Sequence, residues 1–554
     1  MERLLASALG EEPADTVFSG GILFHPFDCS WEETSIAVTA GVVVGTGDYR
    51  GREERDLRGA RVVPGLIDAH VHIESSLLVP AEYARAVLPH GTTTVIADPH
   101  EIANVAGVKG IEYLLGEASR TPLDILFMLP SCVPAAPGDP GGAALTAADL
   151  RSFLGRDRIL GLGEVMDVPG VLAGDDEVGR KLSLCGIRDG HAPGLSGKPL
   201  NAYILSGLQS DHESTSPDEA REKLGKGMFI MIREGSTERN LAALLPLVTP
   251  CTAPRCSFAT DDRHADLLAA SGQVDDCIRE AVALGLDPDL ALRMATLSPS
   301  ERFGLGDRGA IAPGRIADLC ILEEGREFRV KRTWKRGAPV GDIPYRRPEV
   351  LRTPFDCAIP DRRSLRIHGS GDARVIGLVP GQIATRHLIL PVRGDEVPDT
   401  GRDILKIVAS DRYGRELTGL GLVHGFGLQS GAIASSVSHD AHNLLATGAS
   451  DGEILRAIRS VAARDGGMAA VSGRKTTVLP LECAGLMSAA PYGEVAARLA
   501  SLEGVVGSLG GIPRSLMHLS FLALPVVPEL RITPRGLFDT VARRHVDLFA
   551  SGPG

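Results

Sequence analysis

Short apolar runs alternate with longer stretches of helical period from residue 62 onward. Helical segments such as PAEYARAVLPHG and SPDEAREKLGKG lie between several of the runs. Eight runs resemble strands bounded by polar, Gly or Pro residues: RVVPGLIDAHVH, TTTVIADPH, DILFMLPS, RILGLGEV, LCGIRDGHAP, ILSGLQSDHES, GMFIMIREGS and CSFATDD. The runs are almost continuously apolar, as a parallel sheet buried on both faces requires. The pattern therefore predicts a (β/α)8 TIM-like barrel.

Segments with the composition of β-strands also occur before and after the predicted barrel in the sequence. TVFSGGILF and SIAVTAGVVVGTGDY precede it, and GAIAPGRIADLCILEEGREFRVKRTWKRGAPV follows it. We expect these flanking segments to pair into one small β-sandwich. The Pro- and Arg-rich stretch 344–363 is typical of a linker, and the strands and helices beyond it predict a C-terminal α/β domain.

The predicted fold class is thus α/β: a (β/α)8 barrel, a small β-sandwich from the flanking segments, and a C-terminal α/β domain. We expect the N-terminal part of the sandwich at 1–61, the barrel at 62–310, the return strands at 311–345, and the C-terminal domain at 364–554. A chain of 554 residues with 44% hydrophobic content is too long for one compact domain, which agrees with this division.

Metal-capable side chains stand at the carboxyl ends of five predicted strands, where (β/α)8 barrels carry their chemistry. Side chains repeat every two residues along a strand, so the two histidines of the first strand face the same way. One carboxylate can bridge two ions, and the nitrogen and oxygen donors, with no thiolate, suit Zn, Fe or Mn. In chain order the candidates are His70, His72, Glu164, His191, His212 and Asp261.

Each of these residues alone has an ordinary explanation. A single His-x-His is more often surface polarity, and a lone carboxylate after a strand is more often a helix cap. The coincidence of six such residues at five corresponding strand ends is what favours a metal centre. His72 and Glu74 also match the H-x-E of zinc deaminases, but the cysteines of PCTAPRC are not spaced as P-C-x-x-C, so we reject that reading.

Charge and cysteine usage narrow the class of protein. The formal net charge of -12 argues against a general nucleic-acid surface. Nine scattered cysteines, an odd number, fit reduced thiols in the cytoplasm better than a disulfide framework. No apolar run is long enough for a signal peptide or a membrane span, so we expect a cytoplasmic protein without nucleic-acid or membrane partners.

Several stretches together resemble the adenine deaminase family of the metal-dependent amidohydrolase superfamily, and the resemblance covers most of the chain. The DPHE and TDDR segments are more specific than His-x-His, which the superfamily shares. The matching stretches are PGLIDAHVHIESS, GTTTVIADPHEIANV, GLGEVMDVPGV, DGHAPGLSG, SDHES, FATDDRH, GFGLQSGAIASSVSHDAHN and AGLMS.

The resemblance implies a binuclear divalent centre on the six candidate ligands, with Glu164 where many relatives carry a carboxylated lysine. Mn is the expected metal, and Fe and Zn are the alternatives. The implied reaction is hydrolytic deamination of adenine to hypoxanthine and ammonia, in purine salvage and adenine catabolism, by attack of a metal-bridging hydroxide on C6. Asp261 would take the proton of the nucleophile and pass it to the leaving amine. We also expect a homo-oligomer, a dimer.

The loops after the second and eighth strands supply further candidates. His100 is a candidate catalytic group for proton relay, and Asp98 and Glu101 are candidates for holding the purine; ordinary loop polarity around Pro99 is the alternative. Asp262 and Arg263 are candidates for substrate binding, since Asp262 can contact the ring and Arg263 can pair with a carboxylate. Asp68 and Glu74 are expected to orient imidazole N–H groups.

A second polar cluster lies in IASSVSHDAHNLL, and three hypotheses for function stay open. For His439, Asp440 and His442 we favour a packed polar core of the C-terminal domain over metal binding or an approach to the barrel mouth. The first functional hypothesis is adenine deamination. The second is hydrolysis of another substrate, such as an N6-substituted adenine or a cyclic amide, at the same centre. The third is a non-enzymatic purine- or metal-binding protein, which the intact ligand set disfavours.

Overall fold

Most of the first 64 residues form β-strands. The computed structural model describes residues 1–136, 139–323, 325 and 328–550, so the last four residues of the predicted C-terminal domain lie outside the described residues. The first elements are α1 (Glu2–Ala8), β1 (Ala14–His25), β2 (Ser30–Thr39), β3 (Val42–Thr46), β4 (Gly51–Asp56) and β5 (Arg61–Pro64).

The eight apolar runs form eight parallel strands, which confirms the predicted barrel. β6 to β10 pair in sequence order, and β11 to β13 continue in a second run. The last strand meets the first where the Asp261 N–H donates to the His70 carbonyl oxygen at 3.0 Å. The strands are β6 (Leu66–Val71), β7 (Thr92–Ala97), β8 (Asp124–Leu129), β9 (Ile159–Val165), β10 (Arg188–Gly190), β11 (Ser210–Asp211), β12 (Phe229–Arg233) and β13 (Cys256–Ala259).

Helices follow the barrel strands, and several of them have a side-chain cap at the N-terminus. Ser216, for example, accepts a hydrogen bond from the Glu219 N–H, with Pro217 at the first helical position. The helices are α2 (Pro80–Val87), α3 (His100–Ala106), α4 (Val108–Ala118), α5 (Ala147–Arg151), α6 (Val168–Ala173), α7 (Asp176–Leu182), α8 (Gly197–Leu205), α9 (Pro217–Gly225), α10 (Leu241–Leu244), α11 (Ala265–Ser271), α12 (Val274–Ala283), α13 (Pro288–Met294) and α14 (Leu297–Arg302).

The chain then returns to the first sheet through β14 (Leu319–Leu322), β15 (Val330–Lys335) and β16 (Ala338–Pro339). β14 runs antiparallel to β5, so the segments before and after the barrel share one eight-stranded sheet, as predicted. The sheet curls until Val42 bridges Ile316. Phe18 and Trp334 meet edge-to-face inside it with ring centroids 4.8 Å apart.

The C-terminal part is built on a second eight-stranded sheet of order β18-β17-β20-β19-β22-β21-β23-β24. The apolar face of α15 packs on this sheet, with Ile454, Ile458 and Val461 buried. Its elements are β17 (Ser370–Leu378), β18 (Thr385–Arg393), β19 (Ile404–Ser410), β20 (Thr418–His424), β21 (Ala432–Ser435), β22 (Leu444–Gly448), α15 (Asp451–Ala462), β23 (Gly467–Ser472), β24 (Lys475–Pro480), α16 (Tyr492–Ser508), α17 (Ser515–Phe521), β25 (Leu530–Thr533), β26 (Gly536–Asp539) and β27 (Arg544–His545).

The barrel and the C-terminal sheet share one hydrophobic core. Val71 and Val95 of the barrel belong to the same buried cluster as Ile407, Val423 and Leu486. The chain between β21 and β22 is thereby held over the carboxyl ends of the barrel strands. None of the described helices is long and apolar enough to cross a membrane.

Candidate metal centre

β6 delivers its two histidines to the carboxyl end of the barrel. His70 and His72 are two residues apart, so both rings point inward, and their Nε2 atoms are 3.2 Å apart. The Nδ1 of His72 donates to the Asp98 carbonyl oxygen at 3.0 Å, which leaves Nε2 free to bind an ion. Both rings are buried.

Glu164, at the end of β9, lies between the two pairs of histidines. Its Oε1 is 2.9 Å from His70 Nε2 and 2.8 Å from His72 Nε2. Its Oε2 is 3.0 Å from His191 Nδ1 and 3.5 Å from His212 Nε2. Each oxygen of Glu164 therefore faces a different pair of imidazoles.

Asp261 adds a carboxylate beside the two histidines of the first barrel strand. Its Oδ1 is 3.2 Å from His72 Nε2 and 3.6 Å from His70 Nε2. Its backbone lies in the left-handed region, with φ 51°, just after β13. Within the described chain this turn places the carboxylate against the histidines of the first strand.

The donor set fits a divalent metal. All six candidate side chains are buried, and all offer nitrogen or oxygen. His191 Nε2 has no hydrogen-bond partner among the described residues, which is costly for a buried polar atom unless an ion or ligand satisfies it. Several triads, including His70–His72–Glu164 and Glu164–His191–His212, have donor atoms close enough to share an ion.

The electrostatics of the site couple metal binding to protons. Burial alone would lower the pKa of His70, but Glu164 and Asp261 outweigh it and raise that pKa to about 10. The imidazoles in turn hold the pKa of Glu164 well below its usual range against the opposing effect of burial. Without metal His70 and His72 therefore carry protons that an incoming cation displaces, so metal affinity rises with pH.

Arg233 and Glu213 are site residues that the sequence reasoning missed. The Nη1 of Arg233 donates to Asp261 Oδ2 at 2.9 Å, and its guanidinium also binds both oxygens of Glu213. Glu213 Oε1 lies 3.5 Å from His212 Nε2. The strand-end rule that found the histidines also applies to the last residue of FIMIR, so the signal for Arg233 was present in the sequence.

The loop after β7 brings His100 to the centre. Its Nδ1 is 3.4 Å from Asp98 Oδ1 and 3.8 Å from Glu164 Oε1. Glu101 instead turns toward the C-terminal domain and accepts hydrogen bonds from His439 Nδ1 and His442 Nε2. From the sequence we favour a polar core inside the C-terminal domain for this histidine cluster. The structure instead places the cluster against the barrel mouth.

The side chains of the two residues after Asp261 point to different parts of the molecule. Asp262 stays in the site, where it lies near His72 and accepts a hydrogen bond from Ser75 Oγ. Arg263 turns away and donates to the Glu234 carbonyl oxygen at 3.1 Å and to Asp276. The structure thus pairs Arg263 with a carboxylate, but it does not bring this residue to the centre.

Asp68 and Glu74 do not orient imidazole N–H groups. Asp68 accepts hydrogen bonds from Thr260 Oγ1 at 2.5 Å and Gln273 Nε2 at 2.7 Å. Glu74 accepts from the Ile102 N–H at 3.1 Å. Asp68 therefore ties β6 to the end of β13, and the contact that orients His72 comes from a backbone carbonyl.

A buried ion pair supports the side of the site that carries His191 and His212. Lys223 Nζ donates to Asp211 Oδ2 at 2.9 Å and to the Ala192 carbonyl oxygen at 2.7 Å. Asp211 Oδ1 accepts from the Ala192 N–H at 3.0 Å. Burial raises the pKa of Asp211, but Lys223 overcomes this and holds it below its usual range.

We expect Lys223→Met to destabilise the fold by about 3–5 kcal/mol, because it leaves the Asp211 carboxylate buried and uncompensated. The free energy of unfolding in urea measures this. The contribution is complete above the ordinary carboxyl pKa and is lost as the pH falls, so the gap between variant and wild type should narrow in acid. Lys226→Met, at a half-exposed neighbour on the same helix, is the matched control; equal losses in both variants would contradict the role of Lys223.

Comparison with known proteins agrees with this geometry. The amidohydrolase family model matches residues 61–340, and the model described as the adenine deaminase C-terminal domain matches residues 382–544. The fold and the donor set thus define an amidohydrolase, a class that implies a divalent metal site.

Relatives extend over the whole chain. Adenine deaminase of Methanoregula boonei is 60% identical over 99% of this chain and 98% of its own. Adenine deaminase of Methanoculleus marisnigri is 62% identical over 92% of this chain and 99% of its own, and Adenine deaminase 2 of Carboxydothermus hydrogenoformans is 44% identical over 97% of both. The chain belongs to the adenine deaminase family.

Proposed function

We propose that this protein hydrolyses adenine to hypoxanthine and ammonia. The observation that carries the proposal is the Glu164 carboxylate, whose two oxygens each face one histidine pair in a chain of this family. A site of this kind suits hydrolysis at a carbon that carries a leaving nitrogen, as C6 of adenine does.

Six side chains would hold the metal, and Mn is the ion we expect, with Fe and Zn as alternatives. When bound, the ions supply a water molecule acidic enough to be deprotonated near neutral pH. The ligands that we propose are His70, His72, Glu164, His191, His212 and Asp261.

Asp261 is the proposed proton acceptor. Its Oδ2 is held by Arg233, while Oδ1 faces the imidazoles, so the carboxylate has a fixed orientation. Arg233 and the histidines also hold its pKa well below its usual range in spite of burial, so it is ionised and able to take a proton. It then returns that proton to the departing amino group, which leaves as ammonia.

The neighbouring loops line the proposed substrate position. His100 stands beside Glu164 and between two carboxylates, which suits proton relay. Asp98 Oδ2 has no hydrogen-bond partner among the described residues and is available to a purine nitrogen. Glu101 acts through the histidines it binds, and Asp262 lies beside His72.

The test is to strip the protein with a chelator, reload it with Mn and incubate it with adenine. We expect the ultraviolet spectrum to change from that of adenine to that of hypoxanthine, with one ammonia released per base, and no change in the stripped sample. Absence of both products at full metal occupancy would refute the proposal. Turnover of N6-methyladenine without turnover of adenine would favour the alternative substrate class.

We also propose a cytoplasmic role in purine salvage, as a homodimer. All nine cysteines are unpaired, which suits a reducing compartment. Sedimentation of the Mn-loaded protein tests the dimer directly.

A further inference from the structure

Two side chains of the C-terminal domain form a roof over the barrel mouth. His439 and Asp440, which we call the roof pair, follow β21 and are each only 2% exposed. They lie over the carboxyl ends of the barrel strands, and His439 binds Glu101 of the barrel directly. The roof pair is therefore buried between the barrel and the C-terminal domain.

Each member of the roof pair has an atom left without a protein partner. His439 Nε2 and Asp440 Oδ2 have no hydrogen bond among the described residues. An unsatisfied buried polar atom destabilises the fold, and a charged one does so more strongly. Two such atoms on adjacent residues at the mouth of the site indicate a polar ligand.

The roof pair is held in place by its surroundings. The Ser438 N–H donates to His442 Nδ1 at 3.2 Å, so His442 carries its proton on Nε2 and donates it to Glu101. Glu101 in turn receives Nδ1–H of His439, whose ring stacks on Phe521 with centroids 4.7 Å apart. Neither rotation nor a tautomer change is needed for His439 to present Nε2 to a ligand.

The ring of His100 lies between Asp440 and the metal centre. Its Nδ1 is 3.8 Å from Glu164 Oε1, and its Nε2 is 3.7 Å from Asp440 Oδ1. One heteroaromatic ring with a contact at each end thus separates the bridging carboxylate from Asp440. A purine lying beside His100 with C6 at the centre would direct its far edge, N3 and N9, toward the roof.

We propose that the roof pair binds the far edge of the base, with Asp440 accepting the ring N9–H and His439 donating to N3. This inference rests on the proposed function. Lying between Glu101 and Asp262, two carboxylates, the His439 ring carries a proton on each nitrogen, so Nε2 is a donor. A substituent on N9 removes the hydrogen that Asp440 accepts and meets the buried roof, so the pair selects the free base.

The experiment compares adenine with 9-methyladenine in the Mn-loaded wild type and in Asp440→Ala. We expect the wild type to bind 9-methyladenine at least tenfold more weakly than adenine, measured as the inhibition constant of one against the KM of the other. In Asp440→Ala the KM for adenine should rise at least tenfold, and the two bases should bind within threefold of each other. A ratio in the variant equal to that of the wild type would overturn the proposal.

His439→Asn tests the second contact with 3-deazaadenine, which lacks N3. We expect the variant to lose the preference of the wild type for adenine over this analogue, and an unchanged preference would exclude the contact. Asp395→Ala, at an exposed residue of the same domain, is the control and should behave as the wild type. Asp440→Leu, which has a similar size and no hydrogen-bond acceptor, replaces Asp440→Ala if that variant fails to bind metal. A wild type that binds metal but does not deaminate adenine would refute the proposed function instead.

Discussion

Glu164→Gln is expected to reduce the bound metal from the two ions per chain that we propose to one at most. An amide has one oxygen, so it can serve the His70–His72 pair or the His191–His212 pair but not both. Activity on adenine should fall by at least about 10³-fold, more than the 10- to 100-fold typical of residues that only support a ligand. Metal analysis after gel filtration and the adenine assay measure the two effects.

Glu494→Gln is the matched control for this variant. Glu494 is half-exposed and pairs, among the residues the structure describes, with its helix neighbour Arg498, so metal content and activity should stay at wild-type values. Two ions per chain in Glu164→Gln would refute the bridging role, whatever the activity. Loss of activity with both ions retained would assign Glu164 a role in the chemistry rather than in assembling the centre.

The donors on the barrel strands were predictable because two local rules identify them. The apolar runs mark buried parallel strands, and the last polar residues of such strands gather at one end of the barrel. The Nε2–Nε2 distance of 3.2 Å between His70 and His72 is a direct result of the two-residue period. The same period misled the reading of Asp68, which faces inward with them but binds Thr260 and Gln273 across the barrel seam.

Contacts that depend on packing between distant elements were not predictable. Nothing in SVSHDAHN shows that His439 and His442 will meet a carboxylate more than 300 residues earlier; the shared core of the barrel and the second sheet decides it. Arg263 is the opposite case: the sequence placed it in the site, and packing directs it away. Its neighbour Asp262 stays at the centre, but the chain enters α11 immediately afterwards and the guanidinium reaches Asp276 of α12.

The position of Arg233 supports the proposed proton transfer by Asp261. A carboxylate buried beside other carboxylates would ordinarily be protonated, because burial disfavours its charge. Arg233 and the imidazoles outweigh burial, so Asp261 remains a base at neutral pH. Glu213 shares the same guanidinium, which keeps Arg233 in place even when one of its partners changes.

Asp261→Asn is therefore expected to lower kcat for adenine by about 10²–10⁴-fold, the usual contribution of a positioned base, with a smaller change in KM. The amide still offers an oxygen toward His72 and keeps its size, and Glu213 still pairs with Arg233, so at least one ion should remain bound. Steady-state kinetics with parallel metal analysis measures both.

The pH profile separates this role from a purely structural one. With Mn held at saturation across the pH range, wild-type activity should fall in acid as Asp261 takes up a proton, and Arg233→Met should move that fall to higher pH because loss of the cation raises the pKa of Asp261. In Asp261→Asn the residual activity should lack that limb. Asp218→Asn, at a fully exposed residue, should leave the profile unchanged. If Asp261→Asn keeps the acid limb of the wild type, another group is the proton acceptor, and His100, beside Glu164, is then the residue to test.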